Sequence, residues 1–250
     1  MQDKQSVYDK DGFFDLYQKL RSNPNSLNEI VEKPTMLGLV GDVSDKRILD
    51  LGCGCGEHLK LYLERGAAFV AGIDLSQAML QQAAKNLAEF RPHFLLEQAP
   101  MERLEQLNEG DFDLITSSFA FHYVQDFPAL LAKIHAKLKP NGQLVFSQEH
   151  PIVTCYQGGE RWEKDAQKRQ LAYRLNFYRD EGERQRNWFK QPFTTYHRTT
   201  ATIINNLISA SFHIEQMAEP MLADQPQWQD EFKDLQHRPV LLFVKARKNA

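Results

Sequence analysis

Apolar and polar residues along this chain repeat with two different periods. Phe13, Leu16, Tyr17 and Leu20 stand at i, i+3, i+4 and i+7, which predicts a helix with one apolar face over residues 11–21. A second short helix is expected over Ser26–Lys33 with Ser26 as its N-cap, and Pro34 is placed to start a third. From Ile48 onward, short apolar runs alternate with helical ones. Strands are predicted at Ile48–Leu51, Ala68–Asp74, His93–Gln98, Asp113–Ser117 and Gln143–His150. Helices are predicted between them: one ending near Arg65, one capped by Ser76 with Met79, Leu80, Ala83, Ala84 and Leu87 on one side, and one over Pro128–Lys139. A last helix, Thr200–Ala210, precedes HIEQMAEP and PVLLFVKARK, which read as an antiparallel pair at one edge of a sheet. Alternating β and α elements of this kind predict an α/β domain.

Between the first strand and its helix runs RILDLGCGCGEHL, residues 47–59, with Gly52, Gly54 and Gly56 at alternate positions. Glycine lets such a turn take positive φ and lets a ligand approach the main chain. The unpaired N–H groups at the start of the following helix can then face that ligand. The dinucleotide fingerprint G-x-G-x-x-G/A does not fit, because its last position falls on Glu57 or Leu59. The stretch D-L-G-C-G-C-G, beginning at Asp50, resembles instead motif I, E/D-x-G-x-G-x-G, of the class I S-adenosylmethionine-dependent methyltransferases. GDFDLITSSFAFHYV, residues 110–124, is similar to the fourth motif of that family, and Pro140-Asn141-Gly142 with its strand to the LKPGG element. The resemblance covers roughly residues 10–246 and is to the bacterial small-molecule branch. It implies a three-layer Rossmann-like sandwich, with a seven-stranded, mostly parallel sheet between helices on both faces. The implied strand order is 3-2-1-4-5-7-6 with strand 7 antiparallel, and the implied cofactor is S-adenosyl-L-methionine, with S-adenosyl-L-homocysteine as product.

The resemblance also implies where the cofactor lies. Asp50, Gly52, Cys53, Gly54 and Gly56 would form its cradle. Asp74, at the end of the second strand, can accept hydrogen bonds from both ribose hydroxyls. Leu75 and Met79 would flank the ribose or adenine. Gln98, Ala99, Pro100 and Met101 would lie beside the adenine, with Gln98 where the family usually has an acid; an amide can still bond the adenine amino group. Ser117, Ser118, Phe119 and Tyr123 follow the fourth strand at the ligand-binding edge. The run YQKLRSNPNSLNEIVEKP looks like the N-terminal segment of the branch, which puts Tyr17 and Arg21 near the methionine end. An arginine fork suits the cofactor carboxylate. The N/D-P-P-Y/F signature of enzymes that methylate amino groups of bases or of glutamine is missing.

Composition narrows the partners. The chain has 250 residues, 42% of them hydrophobic, which suits one α/β domain with a real core. A net charge of −3 gives no broad basic surface, so nucleic acid is not an expected partner. The polar N-terminus lacks the apolar region of a signal peptide and no apolar run is long enough to span a bilayer, so a cytoplasmic protein is expected, as monomer or homodimer. Cys53, Cys55 and Cys155 form no disulfide framework, and C-x-C without a second ligand pair predicts reduced thiols and no metal. From Pro151 to Phe193 the chain turns polar and basic, with Tyr156, Trp162, Tyr173, Phe177, Tyr178, Trp188 and Phe189 among arginines. This segment is expected to be a β-ribbon lid, although such a mixture also suits RNA or a dimer arm. The expected division is an N-terminal helical lid (1–40), a cofactor-binding domain (41–150 and 196–250) and an inserted substrate cap (151–195).

The sulfonium of the cofactor is already an activated methyl donor. The protein must add in-line placement and exclusion of water. A general base helps where the acceptor has to lose a proton. The candidates, in order, are His150, His197, Tyr8 and His122. The expected activity is methyl transfer to an oxygen or nitrogen of a small molecule. The alternatives are an RNA methyltransferase and a non-catalytic module that only binds the cofactor.

Overall fold

The computed structural model describes residues 9, 12–188, 191–221 and 232–249. Its centre is a seven-stranded sheet. The strands are β1 (Arg47–Leu51), β2 (Phe69–Asp74), β3 (Phe94–Gln98), β4 (Phe112–Ser117), β5 (Leu138–Glu149), β10 (Phe212–Ala218) and β11 (Leu241–Lys248). They lie in the order β3-β2-β1-β4-β5-β11-β10, with β11 antiparallel to both neighbours and the others parallel. This is the implied 3-2-1-4-5-7-6 order.

Each central strand is apolar on both faces, as a sheet covered by helices on both sides requires. Ile48, Val70, Leu114, Val145 and Phe243 point to one side. They meet α2 (Lys33–Val40), α3 (Glu57–Glu64) and α4 (Gln77–Asn86) through Met36, Leu39, Leu59, Tyr62 and Leu80. Leu49, Ala71, Ile115, Phe146 and Leu242 point to the other side, against α5 (Phe127–Lys137) and α7 (Thr200–Ser209). Burial of each such side chain stabilises by roughly 1.5–3 kcal/mol. The helix starts are closed by side chains: Ser76 Oγ accepts the Met79 N–H at 3.2 Å, Asp126 the Ala129 N–H at 3.0 Å and Thr199 the Thr202 N–H at 3.1 Å.

The N-terminal helices differ from the sequence expectation. α1 (Phe13–Arg21) forms, but no break occurs at Pro34. A π-helical turn, Asn28–Glu32, runs directly into α2, with the Lys33 N–H reaching back to the Asn28 carbonyl. The widened turn skips a carbonyl, which suits a proline that has no N–H to offer. Met36, Leu39 and Val40 are buried in the core, and Lys245 Nζ donates to the Leu39 carbonyl at 2.8 Å. α2 therefore packs as part of the helical layer on the sheet, while α1 and Asn28 at the start of the π-helical turn border the cleft.

Between β5 and α7 the chain makes α6 (Pro151–Thr154) and two antiparallel ribbons. One pairs β6 (Trp162–Lys164) with β7 (Gln170–Tyr173), and the other β8 (Gly182–Trp188) with β9 (Gln191–His197). Among the described residues no helix is long and apolar enough to cross a membrane.

Candidate active site

A cleft opens along the carboxyl edge of the sheet, in two lobes of about 440 and 410 Å³. Tyr17, Gly52, Gly54, Ser118 and Phe119 line both, so the lobes meet over the glycine turn. The first lobe is walled by Arg21, Asn28, Asp50, Cys53, Glu57 and His58. The second is walled by Asp74, Leu75, Met79, Ala99, Pro100 and Met101 on one side and by Tyr123, Pro192, Phe193 and Thr194 on the other.

The turn is shaped for a ligand. Gly52 has φ +75°, and a Cβ there would come 2.7 Å from the Ala120 Cβ. Gly54 has φ +52° and faces open space, where a ligand can approach its backbone. Gly56 lies outside the cleft; it caps α3 and packs on Ala83. Asn86 of α4 braces the loop by donating to the Cys55 carbonyl at 2.9 Å.

Asp74 is held by two backbone donors, Gly54 N–H and Ser76 N–H, each at 2.8 Å. Burial pushes its carboxyl up to about 6 despite those bonds. An acceptor-only carboxylate, part exposed to the second lobe, is the group expected for a pair of ribose hydroxyls. Asp50 lines the first lobe and accepts from Thr116 Oγ1 at 2.7 Å; burial raises its carboxyl too. Tyr17 is pushed up to about 12, chiefly by burial, and so stays a neutral phenol. Arg21 lines the first lobe, paired at 2.7 Å with Glu57, and Lys33 stands 3.3 Å from the same carboxylate. Burial works against the charge on Glu57, but Arg21 and Lys33 hold its carboxyl below the ordinary range.

Two expected cofactor contacts turn elsewhere. Ser117 is buried and donates to the Leu51 carbonyl, tying β4 to β1. Gln98 is exposed and its amide donates to the Leu75 carbonyl at 3.3 Å, while Ala99, Pro100 and Met101 line the lobe.

The candidate histidines His122, His150 and His197 do not line either lobe. His150 is at the end of β5, but its ring caps α6: Nδ1 accepts the Ile152 N–H at 3.1 Å, and Nε2 donates to Glu219 at 2.7 Å. His197 Nε2 donates to the Tyr178 carbonyl at 2.8 Å while Nδ1 faces the Thr154 hydroxyl at 2.8 Å. Burial lowers both from the usual imidazole range. Both ring nitrogens of each are thus engaged by protein partners. His122 is buried behind Tyr123, with ring centroids 4.3 Å apart, and burial pushes it down to about 4. Tyr8 is outside the described residues.

Several cleft residues carry no sequence motif. Pro192, Phe193 and Thr194 reach the second lobe because the β8–β9 register brings them there. Glu32 is fully buried just below the first lobe. A signal for it existed: Glu32, Met36 and Leu39 share a helical stripe, so an acid stands on an apolar face.

Comparison with known proteins agrees with this geometry. A family model described as a methyltransferase domain matches residues 48–142. An S-adenosylmethionine-dependent methyltransferase of Mesorhizobium loti is 35% identical, with a TM-score of 0.79 over 89% of this chain and 100% of its own. An uncharacterized protein of Haemophilus influenzae is 67% identical over 99% of both chains. A ubiquinone biosynthesis O-methyltransferase of Neisseria meningitidis is 37% identical over 42% of this chain, which spans 45% of that relative's length. The glycine turn that leaves Gly54 open, the Asp74 carboxylate and the likeness to the Mesorhizobium enzyme over nearly the whole chain agree: this chain belongs to the class I S-adenosylmethionine-dependent methyltransferases.

Proposed function

We propose that the acceptor is a small molecule with a flat or apolar body, methylated on oxygen or nitrogen, that enters between the cofactor and β9. The observation that carries this reading is the roof of the second lobe. Pro192, Phe193 and Thr194 of β9, with Tyr123, wall the same space as Asp74 and Met101. Aromatic walls bury a planar acceptor and exclude water from the transfer.

Two arginines of the cap and Arg198 beside it support a small acceptor over RNA. Arg184 donates to the carbonyls of Asp180 and Glu183, Arg186 pairs with Glu149, and Arg198 donates to the carbonyls of Val124 and Gln125. These guanidiniums brace the ribbon itself, whereas nucleic-acid affinity comes mainly from cations placed on phosphates. The likeness to the ubiquinone O-methyltransferase supports an oxygen acceptor, over the part of the chain that it covers.

In this reading the bound cofactor supplies the activated methyl group. Asp74 would hold its ribose, the backbone from Gly52 to Gly54 and Arg21 its methionine end, and Ala99–Met101 its adenine. The remaining task of the chain is to orient the acceptor, and none of His122, His150 and His197 takes its proton. The test is incubation with methyl-labelled cofactor, using small-molecule extracts and total tRNA in parallel. Label is expected in the small-molecule fraction. Label in tRNA alone would contradict the proposal.

A further inference from the structure

Below the first lobe lies a buried polar cluster centred on Glu32. Glu32 is 0% exposed, on the π-helical turn ahead of α2. Its Oε1 accepts two hydroxyls, from Ser118 at 2.6 Å and from Ser147 at 2.6 Å. Its Oε2 is buried without a hydrogen-bond partner and faces His58 Nε2, also unpartnered, at 3.9 Å. A buried carboxyl with one oxygen unsatisfied costs stability, so packing alone is a poor account of it.

The chain of contacts leads to the cofactor. Ser147 Oγ, while donating to Glu32, accepts the Phe119 N–H at 3.1 Å, and the Ser147 carbonyl also faces that N–H at 3.1 Å. Phe119 has φ +54°, a left-handed conformation that an aromatic residue adopts only when its surroundings impose it. Ser118 and Phe119 line both lobes of the cleft where they meet. Glu32 thus grips the loop after β4 at two adjacent points, and Asn28 and His58, flanking it, line the first lobe.

We propose that Glu32 is a positioning residue for the cofactor: through Ser118 and Ser147 it holds Phe119 in the left-handed shape in which Ser118 and Phe119 line both lobes of the cleft. The inference rests on the cofactor assignment and is independent of the acceptor. It predicts an effect on binding larger than the loss of stability explains.

The experiment measures S-adenosyl-L-homocysteine affinity by calorimetry and Tm for the full chain and three variants. Ser147→Ala leaves Glu32 in place but removes the hydroxyl that links it to Phe119. Glu32→Gln keeps the size of the side chain. Met36→Ala, one turn along the same helix and fully buried, loses packing only. Ser147→Ala is expected to weaken binding about tenfold or more and Glu32→Gln less, because its amide oxygen still accepts both hydroxyls, while Met36→Ala lowers Tm at least as far and leaves affinity within about twofold. Affinity within twofold of the native value in Ser147→Ala overturns the proposal, whether or not Glu32→Gln folds. So does an equal loss in Met36→Ala. Weakening in Glu32→Gln with native affinity in Ser147→Ala also overturns it, because Glu32 would then act on the ligand directly.

Discussion

The floor and the roof of the cleft are built in opposite ways. The floor comes from neighbours in sequence: β1, the turn over Gly52–Gly56 and α3, with Asp74 reached across one strand pair. Backbone groups hold it, such as the Gly54 and Ser76 N–H donors on Asp74. The roof comes from a ribbon far along the chain. β8 and β9 are fastened to the sheet by side chains, Arg186 to Glu149, and by His197, which is fixed between Tyr178 and Thr154. A backbone-built floor tolerates little change and suits an invariant cofactor. A roof held by side chains can change its facing residues without disturbing the floor, which is where acceptor choice would reside.

The sharpest break in that comparison is expected at Gly52. Gly52→Ala forces a Cβ to 2.7 Å from Ala120 Cβ at φ +75°. The conformational cost alone is roughly 1–2 kcal/mol. Displacement of the turn adds to it, so S-adenosyl-L-homocysteine affinity by calorimetry should fall more than about 100-fold. Asp74→Ala comes next. Loss of hydrogen bonds to a charged group should weaken binding by roughly 1.5–3 kcal/mol. Unchanged affinity would remove Asp74 from the ribose.

The protonation of Asp74 refines this. Its carboxyl is raised from 3.8 to about 6 in the folded protein, so without ligand the fold holds a proton that the unfolded chain has released. Stability from this group therefore falls as pH rises from 3.8 to about 6. Ligand hydroxyls favour the ionised form, so binding has the opposite sign: affinity is level above about 6 and drops below it, approaching tenfold per pH unit. Asp74→Asn should flatten that limb in an affinity-against-pH series.

The smallest effects are expected at His150, the cap of α6, and at His197 of the ribbon. His150→Ala and His197→Ala should lower Tm, with loss of the α6 cap alone costing about 1 kcal/mol. Turnover should stay within tenfold. A loss of roughly 10²- to 10⁴-fold would restore either one as a general base.

The same contrast explains what could be read from the sequence. The glycine spacing, the acid closing β2 and the alternation of apolar runs are local, and they carried the alternation of strands and helices and most of the floor; the strand order came only with the family resemblance. His150 was expected at the active edge because it ends the fifth predicted strand, and His197 was the next candidate. Where a ring points depends on partners that spacing does not encode: the N–H of Ile152, Glu219 and the Tyr178 carbonyl. Ser117 turned inward for the same reason, to the Leu51 carbonyl. Glu32 broke an apolar stripe in plain view, but its purpose lies in Ser118 and Ser147, far away in the chain.

Floor and roof are expected to have separable tasks, which Phe193→Ala can separate when S-adenosyl-L-homocysteine affinity and acceptor turnover are measured on the same protein. Turnover should fall at least about tenfold while affinity stays within about threefold, under ~1 kcal/mol. Equal losses in both, or native turnover, would contradict it.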